Sequence, residues 1–277
     1  MVCNEQNTMI EIVPFNEDIT CVKTATEQDG AAIMFVYAYL VRDALFDTGC
    51  ANAIGGIREF ARGNKINQVY ITHSHEDHVG CCKVFEGNVA IYANESVQKA
   101  LRNPVQRTEF FRFVWGQPEP VWDSTLLPDR FSIGDLNFEV VPVPGHTMEM
   151  VGFYEPAKKW FFAADALPLP SKKRIAMPDE NVPQMVATME KILAMDIEIL
   201  FDCHKGPIES PREHIQTRID YIKEVQQEAR ELHESGKTVA EIQEILRLEA
   251  PWYMEMTEGR FGIDIFIKSI LFDKPVL

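Results

Sequence analysis

The chain has 277 residues, 46% of them hydrophobic and 25% charged, which suits one large globular domain or a domain with an appendage. Its net charge of −15 argues against a nucleic-acid partner, because backbone-binding proteins carry a basic footprint. No apolar run is long enough for a membrane helix, and no charged-then-apolar leader opens the chain. The expectation is a cytoplasmic protein without a membrane partner, its six cysteines reduced because their spacing fits no disulfide framework.

Residues 10–13, 34–41 and 44–46 read as strands, with a hairpin around Arg42-Asp43 that delivers Asp47 to a loop. Residues 51–64 follow as a helix with Ile54, Ile57, Phe60 and Ala61 on one face. A short buried strand, 68–71, runs directly into Thr72-His73-Ser74-His75-Glu76-Asp77-His78-Val79-Gly80, and a helix is expected from Val79. A strand at 89–92 and a capped helix at 94–101 come next. The segment 102–130 then breaks the rhythm with Phe110, Phe111, Phe113, Trp115 and Trp122. It reads equally as a lid or wall over a site and as a helix near 107–115 packing its rings into the core. Strands at 131–133 and 136–143 end at Gly145-His146, and a hairpin spanning 153–163 ends at Asp165. An amphipathic helix, 185–195, precedes a strand at 197–201 and then His204. Beyond Pro211 the pattern turns helical: a long amphipathic helix at 210–235, a capping box opening at Thr238, and a third segment at 262–272. Domain boundaries are therefore expected as 1–210 and 211–277. The helical extension reads as a lid, a homodimer surface or simple packing, and its His214 and His233 as surface residues.

Three of the seven histidines fall between residues 73 and 78 with two carboxylates among them. Such a cluster is costly to bury unless something compensates it, and imidazole and carboxylate are ligands that zinc, iron and manganese accept. In extended backbone alternate side chains point the same way, so His73, His75 and Asp77 project together while His78 points elsewhere. One short peptide can thus feed two adjacent sites, with His73 and His75 at one and Asp77 and His78 at the other.

This H-x-H-x-D-H run resembles the signature of the metallo-β-lactamase superfamily of metallohydrolases. Four further blocks occur in that family's order: Leu45-Phe46-Asp47-Thr48-Gly49, Pro144-Gly145-His146-Thr147, Phe161-Phe162-Ala163-Ala164-Asp165 and Phe201-Asp202-Cys203-His204. The resemblance implies an α/β fold, an αββα sandwich of two mixed β-sheets flanked by helices, here with a C-terminal helical appendage. It implies two divalent metal ions, zinc first, with iron and manganese also compatible. His73, His75 and His146 would bind one, Asp77, His78 and His204 the other, with Asp165 bridging. Asp47 would hold the metal-binding loop from behind, and Asp77 would take the catalytic role of orienting a metal-bridging hydroxide. The implied reaction is hydrolysis of a small ester or thioester, as in hydroxyacylglutathione hydrolases or lactonases. The alternatives are a phosphodiesterase and a metal-containing regulatory protein with little turnover. Departures occur at Thr147-Met148-Glu149-Met150, at Ala164 where relatives often carry glycine, and at Cys203 and Lys205. The only tight basic cluster, Lys172, Lys173 and Arg174, is expected to hold one anionic group of a small-molecule substrate.

Overall fold

The structure is a computed structural model that describes residues 8–272. Its first sheet comprises β1 (Thr8–Pro14), β2 (Ile19–Gln28), β3 (Ala31–Ala32), β4 (Val36–Val41), β5 (Ala44–Phe46), β6 (Gln68–Tyr70), β7 (Ala90–Ala93) and β8 (Thr125–Leu126). They are ordered β1-β2-β4-β5-β6-β7-β8, with β3 paired to β2. The pairs from β1 through β5 are antiparallel, whereas β5 to β8 run parallel, so β5, β6 and β7 carry almost unbroken apolar residues. The second sheet follows the order β14-β13-β12-β11-β10-β9, formed by β9 (Arg130–Ile133), β10 (Leu136–Pro142), β11 (Val151–Glu155), β12 (Trp160–Ala164), β13 (Ile199–Asp202) and β14 (Gly206–Glu209). Two sheets with flanking helices, and further helices at the C-terminal end, give the α/β class that the sequence implies.

The helices are α1 (Ile54–Gly63), α2 (Glu76–Val79), α3 (Glu95–Arg102), α4 (Glu109–Val114), α5 (Val182–Leu193), α6 (Arg212–Glu234), α7 (Val239–Ile245) and α8 (Ile263–Phe272). The short strands β3, β8 and β14 were not expected, and two further elements differ in informative ways. The helix expected from Val79 begins three residues earlier, at Glu76, because Glu76 and Asp77 favour a helix's first turn, where backbone N–H groups point outward. Strand β2 escapes the pattern of the opening residues, since Lys23, Thr24 and Thr26 interrupt its apolar positions although Thr24 and Thr26 are buried. Thr238 and Glu241 form the capping box that opens α7.

The chain divides into two compact units, residues 1–140 with 202–206 and residues 141–201 with 207–277. The core of the first joins Val22, Leu45, Val69, Ile71 and Ile91 of the sheet to Ile57, Phe60, Val97 and Leu101 of the helices. The core of the second joins Phe161 and Leu200 to Val186, Met189 and Ile192 of α5, Ile215, Ile219 and Ile222 of α6, and Phe266, Ile267 and Ile270 of α8. The C-terminal helices thus share one core with residues 141–201. Each unit sets its own group of candidate ligands just past strand ends, where adaptable loop meets rigid scaffold.

Candidate metal centre

In the first unit the loop after β6 carries His73, His75, Asp77 and His78, all buried. Asp47, at the end of the hairpin strand β5, holds this loop. Its Oδ1 accepts the Thr72 N–H at 2.9 Å, and its Oδ2 accepts the Thr72 hydroxyl at 2.8 Å. The same Oδ2 lies 2.7 Å from His78 Nδ1. Thr48 adds two bonds to the His78 carbonyl, from its N–H at 2.8 Å and its hydroxyl at 2.9 Å. The turn into α2 needs Gly80: a Cβ there would stand 2.2 Å from the Ala51 nitrogen and 2.5 Å from the Cys50 carbonyl carbon. Because α2 has begun by Glu76, Asp77 and His78 sit on one helical turn. Asp77 Oδ2 lies 3.7 Å from His78 Nε2 and 3.7 Å from His204 Nε2.

His204 joins this unit through the short return segment 202–206. Asp202 Oδ1 accepts both the His204 and Lys205 N–H groups at 2.8 Å, which shapes the turn. Tyr39 on β4 donates to the Asp202 carbonyl, and the Tyr37 N–H to the Cys203 carbonyl. The ring nitrogens of His78 and His204 and the sulfur of Cys203 lie within 4.8 Å of one another, as do ligand atoms of His73 and His75. The segment 102–130 contains the expected helix, which packs part of its aromatic content inward. Its α4 buries Phe111 and Val114 while Phe113 and Trp122 stay exposed. The Trp115 ring packs 6.1 Å from that of His204, and Arg107 pairs with the buried Glu76 at 2.9 Å.

The second unit supplies His146 and Asp165, with His146 Nε2 3.1 Å from Asp165 Oδ2. Gly145, at φ 135°, lets the chain turn beside α5, where a Cβ would meet the Met185 backbone nitrogen at 2.6 Å. Ala164 adopts φ 48°, the left-handed region that ordinarily favours glycine. On the far side of the imidazole, Nδ1 lies 2.9 Å from Glu180 Oε1. Glu180 Oε2 accepts from Lys173 Nζ at 2.8 Å and from the Met177 N–H at 2.9 Å. Burial of the ring opposes protonation of His146, but Asp165 and then Glu180 outweigh it and raise the pKa to about 10. Burial likewise pushes Glu180 up, yet Lys173 and then His146 overcome it and hold the carboxyl at about 2. Of the basic cluster, Lys172 is exposed and lies near the Tyr221 ring, Arg174 bonds to the Tyr221 hydroxyl, and Lys173 is buried against Glu180. The Asp179-Glu180-Asn181 stretch gave no sequence signal, because a lone Glu ahead of a helix reads as solvated.

The donor set can be tested for its fit to a divalent ion. In four histidines Nδ1 faces a protein oxygen: Thr72 Oγ1 for His73, Asp47 for His78, Glu180 for His146 and the Phe35 carbonyl for His204. The atom this arrangement presents is Nε2, with the tautomer set from behind. A tetrahedral ion with ligands at about 2.0–2.2 Å separates its donors by roughly 3.3–3.6 Å. The donor separations of 3.1 Å and 3.7 Å bracket that spacing. The residues fit a metal.

A sequence model described as the metallo-beta-lactamase superfamily matches residues 33–204, more than half of the chain and all five motif blocks. The chain belongs to the metallo-β-lactamase superfamily. Among superfamily relatives, a hydroxyacylglutathione hydrolase of Ruegeria pomeroyi is 31% identical over 174 residues, 59% of this chain and 60% of that protein. A second, from Bdellovibrio bacteriovorus, is 26% identical over 118 residues, 41% of this chain and 40% of its own length. The chain thus spans less than two thirds of either hydrolase. A protein of Aquifex aeolicus is 26% identical over 189 residues, covering 67% of this chain and 83% of that one. In structure, a beta-lactamase domain protein from Burkholderia ambifaria superposes with a TM-score of 0.70 at 15% identity, over 95% of this chain and 89% of the other. A metallo-beta-lactamase family protein from Thermus thermophilus gives 0.64 at 17% identity, over 96% and 93%. Both share the superfamily fold.

Proposed function

We propose that the chain is a metal-dependent hydrolase of small esters or thioesters, of the hydroxyacylglutathione hydrolase or lactonase kind. The observation that carries this reading is the set of four histidines held from behind at Nδ1, of which His78, His146 and His204 turn Nε2 toward a carboxylate oxygen. In this reading His73, His75 and His146 would hold one divalent ion, Asp77, His78 and His204 a second, and Asp165 would serve both. Zinc suits the donor set best, with iron and manganese also compatible. Bound there, such ions lower the pKa of water from 15.7 to roughly 7 and stabilise negative charge on a substrate oxygen. The protein's own part is to hold the donors and to orient the attacking group through Asp77. Trp115, with its ring 6.1 Å from that of His204, would wall that side. A substrate anion would meet Lys172 and Arg174, since Lys173 is engaged inside. The similarity to hydroxyacylglutathione hydrolases of Ruegeria and Bdellovibrio supports a thioester substrate. No helix among the described residues is long and apolar enough to cross a membrane, and a small soluble substrate and a reducing, cytoplasmic setting are compatible with the free buried thiols.

The test is metal content by elemental analysis together with a screen of glutathione thioesters, lactones and phosphodiesters. Two ions per chain, falling in Asp165→Ala, and turnover of a thioester or lactone are expected. One ion at saturation removes the two-metal reading, and turnover confined to phosphodiesters removes the ester reading.

A further inference from the structure

The interior of the second unit holds an ion pair that catalysis by the proposed ligands does not itself require. Glu180 is 2% exposed and Lys173 is 7% exposed. Two charges are rarely taken from water together unless each is compensated, and here the compensation is built from several sides. Lys173 Nζ is 2.8 Å from one carboxylate oxygen, which also receives the Met177 N–H. The other oxygen is left for His146 Nδ1 alone among the hydrogen bonds of this group, at 2.9 Å. The loop bearing Glu180 is fastened on both sides of it. Ala176 and Gly262 exchange backbone bonds of 3.1 and 3.0 Å, and Ser269 Oγ accepts the Val182 N–H at 3.0 Å. The carboxylate is therefore fixed in place, and its direction is set by Lys173.

We propose that Lys173 and Glu180 are a positioning pair for His146, fixing its ring and tautomer so that Nε2 is presented to a divalent metal. This inference rests on the metal-binding reading above. A carboxylate on Nδ1–H keeps the Nε2 lone pair free and strengthens it as a donor. Lys173 keeps that carboxylate from rotating away, and cancels its charge so that the buried group is tolerated. The pair thereby acts on metal affinity and not on substrate contact, a role opposite to the one its place in a basic cluster suggests.

The test is zinc affinity by competition with a chromophoric chelator, on the full chain, with thermal denaturation of the metal-free protein alongside. The variants are Glu180→Gln, which strands Lys173, and the charge-balanced double variant Lys173→Met/Glu180→Gln, which does not. Both are expected to weaken one zinc equivalent by about 10–100-fold, the usual effect of removing a partner behind a ligating histidine. The double variant should melt near the wild-type temperature without metal, and Lys173→Met alone should leave unchanged the ratio of KM values for anionic and neutral esters. Wild-type zinc affinity in the double variant would overturn the inference, as would a KM ratio that moves while affinity does not. His146→Ala separates the two levels: if it leaves zinc binding intact, the metal-site reading fails and the inference falls with it. If it abolishes one equivalent while the double variant binds normally, only the inference fails.

Discussion

Asp47 uses both carboxylate oxygens on the histidine loop, reaching the Thr72 backbone, the Thr72 hydroxyl and His78. Asp47→Ala should therefore release the loop and the His78 ring together. We expect a stability loss of about 1–3 kcal/mol from the unsatisfied buried donors and a zinc affinity lower by about 10–100-fold, read by urea denaturation and chelator competition. A variant that matches wild type in both would mean the aspartate is only a turn residue. The thiols beside the motifs behave differently. Burial, before any other influence, pushes Cys50 up to about 11 and Cys82 up to about 12. Thiols held protonated are poor nucleophiles, so peroxide and iodoacetamide at neutral pH should leave both untouched until the protein unfolds. The sign of the linkage follows. These groups bind protons more tightly when folded, so their contribution is intact below the unfolded thiol pKa of about 8.5 and is lost as pH rises toward 11–12. The urea midpoint should fall between about pH 8.5 and 11, and less steeply in Cys82→Ala. An identical slope in that variant would assign the fall to other groups. At this scale the sequence was most legible where chemistry is concentrated, at residues 73–78, because few histidines can cluster without a reason. Glu180 was illegible because its partners, His146 and Lys173, are brought to it only by tertiary structure.

Among the elements, α2 is the one whose register matters most for the candidate ligands. Extended backbone through Asp77 would have aimed Asp77 and His78 to opposite sides. Starting the helix at Glu76 instead leaves Asp77 Oδ2 within 3.7 Å of His78 Nε2. The strand periodicity that located β6 and β7 carries no information on where a polar loop starts to coil, so the boundary could not be read. Gly80 ends that turn against the backbone of residues 50 and 51. Gly80→Ala should cost about 3 kcal/mol, because backbone on the other side cannot give way. Gly55→Ala in α1, where an added Cβ meets nothing within 4 Å, should instead stabilise by about 0.5–1 kcal/mol. Parallel urea titrations would check both, and equal effects at the two glycines would contradict the crowding argument. The long helix α6 was readable from its own spacing, with Ile215, Ile219, Ile222 and Val225 buried as the apolar stripe requires. What covers that stripe was not readable, since any apolar surface would satisfy it.

For the whole molecule, the ordered motif blocks pointed to the metallohydrolase class and the acidic excess argued only against a nucleic-acid partner, while composition left the role of the C-terminal helices open. The second unit answers part of this: Ile263, Phe266, Ile267 and Ile270 of α8 are almost completely buried in the core that also contains Val182 and Met189 of α5. Ending the chain after residue 262 should give insoluble protein. The milder Ser269→Ala, which removes the acceptor of the Val182 N–H, should lower stability by about 1–3 kcal/mol. Zinc affinity should weaken with it, because the same serine lies against the Glu180 carbonyl. A soluble truncation product with wild-type metal content would show α8 to be dispensable.

The Ser269 contact also has a meaning in time. A ribosome delivers the histidine loop long before α8, and domains take shape from the N-terminal side as they emerge. His73, His75 and His78 can be seated early, but the Glu180 loop behind His146 is fastened only when the final helix arrives. A nascent or prematurely ended chain would therefore carry an unfinished second ligand set. On the hydrolase reading, reactivity is withheld until translation has passed residue 269, so an interrupted polypeptide is left without a working centre.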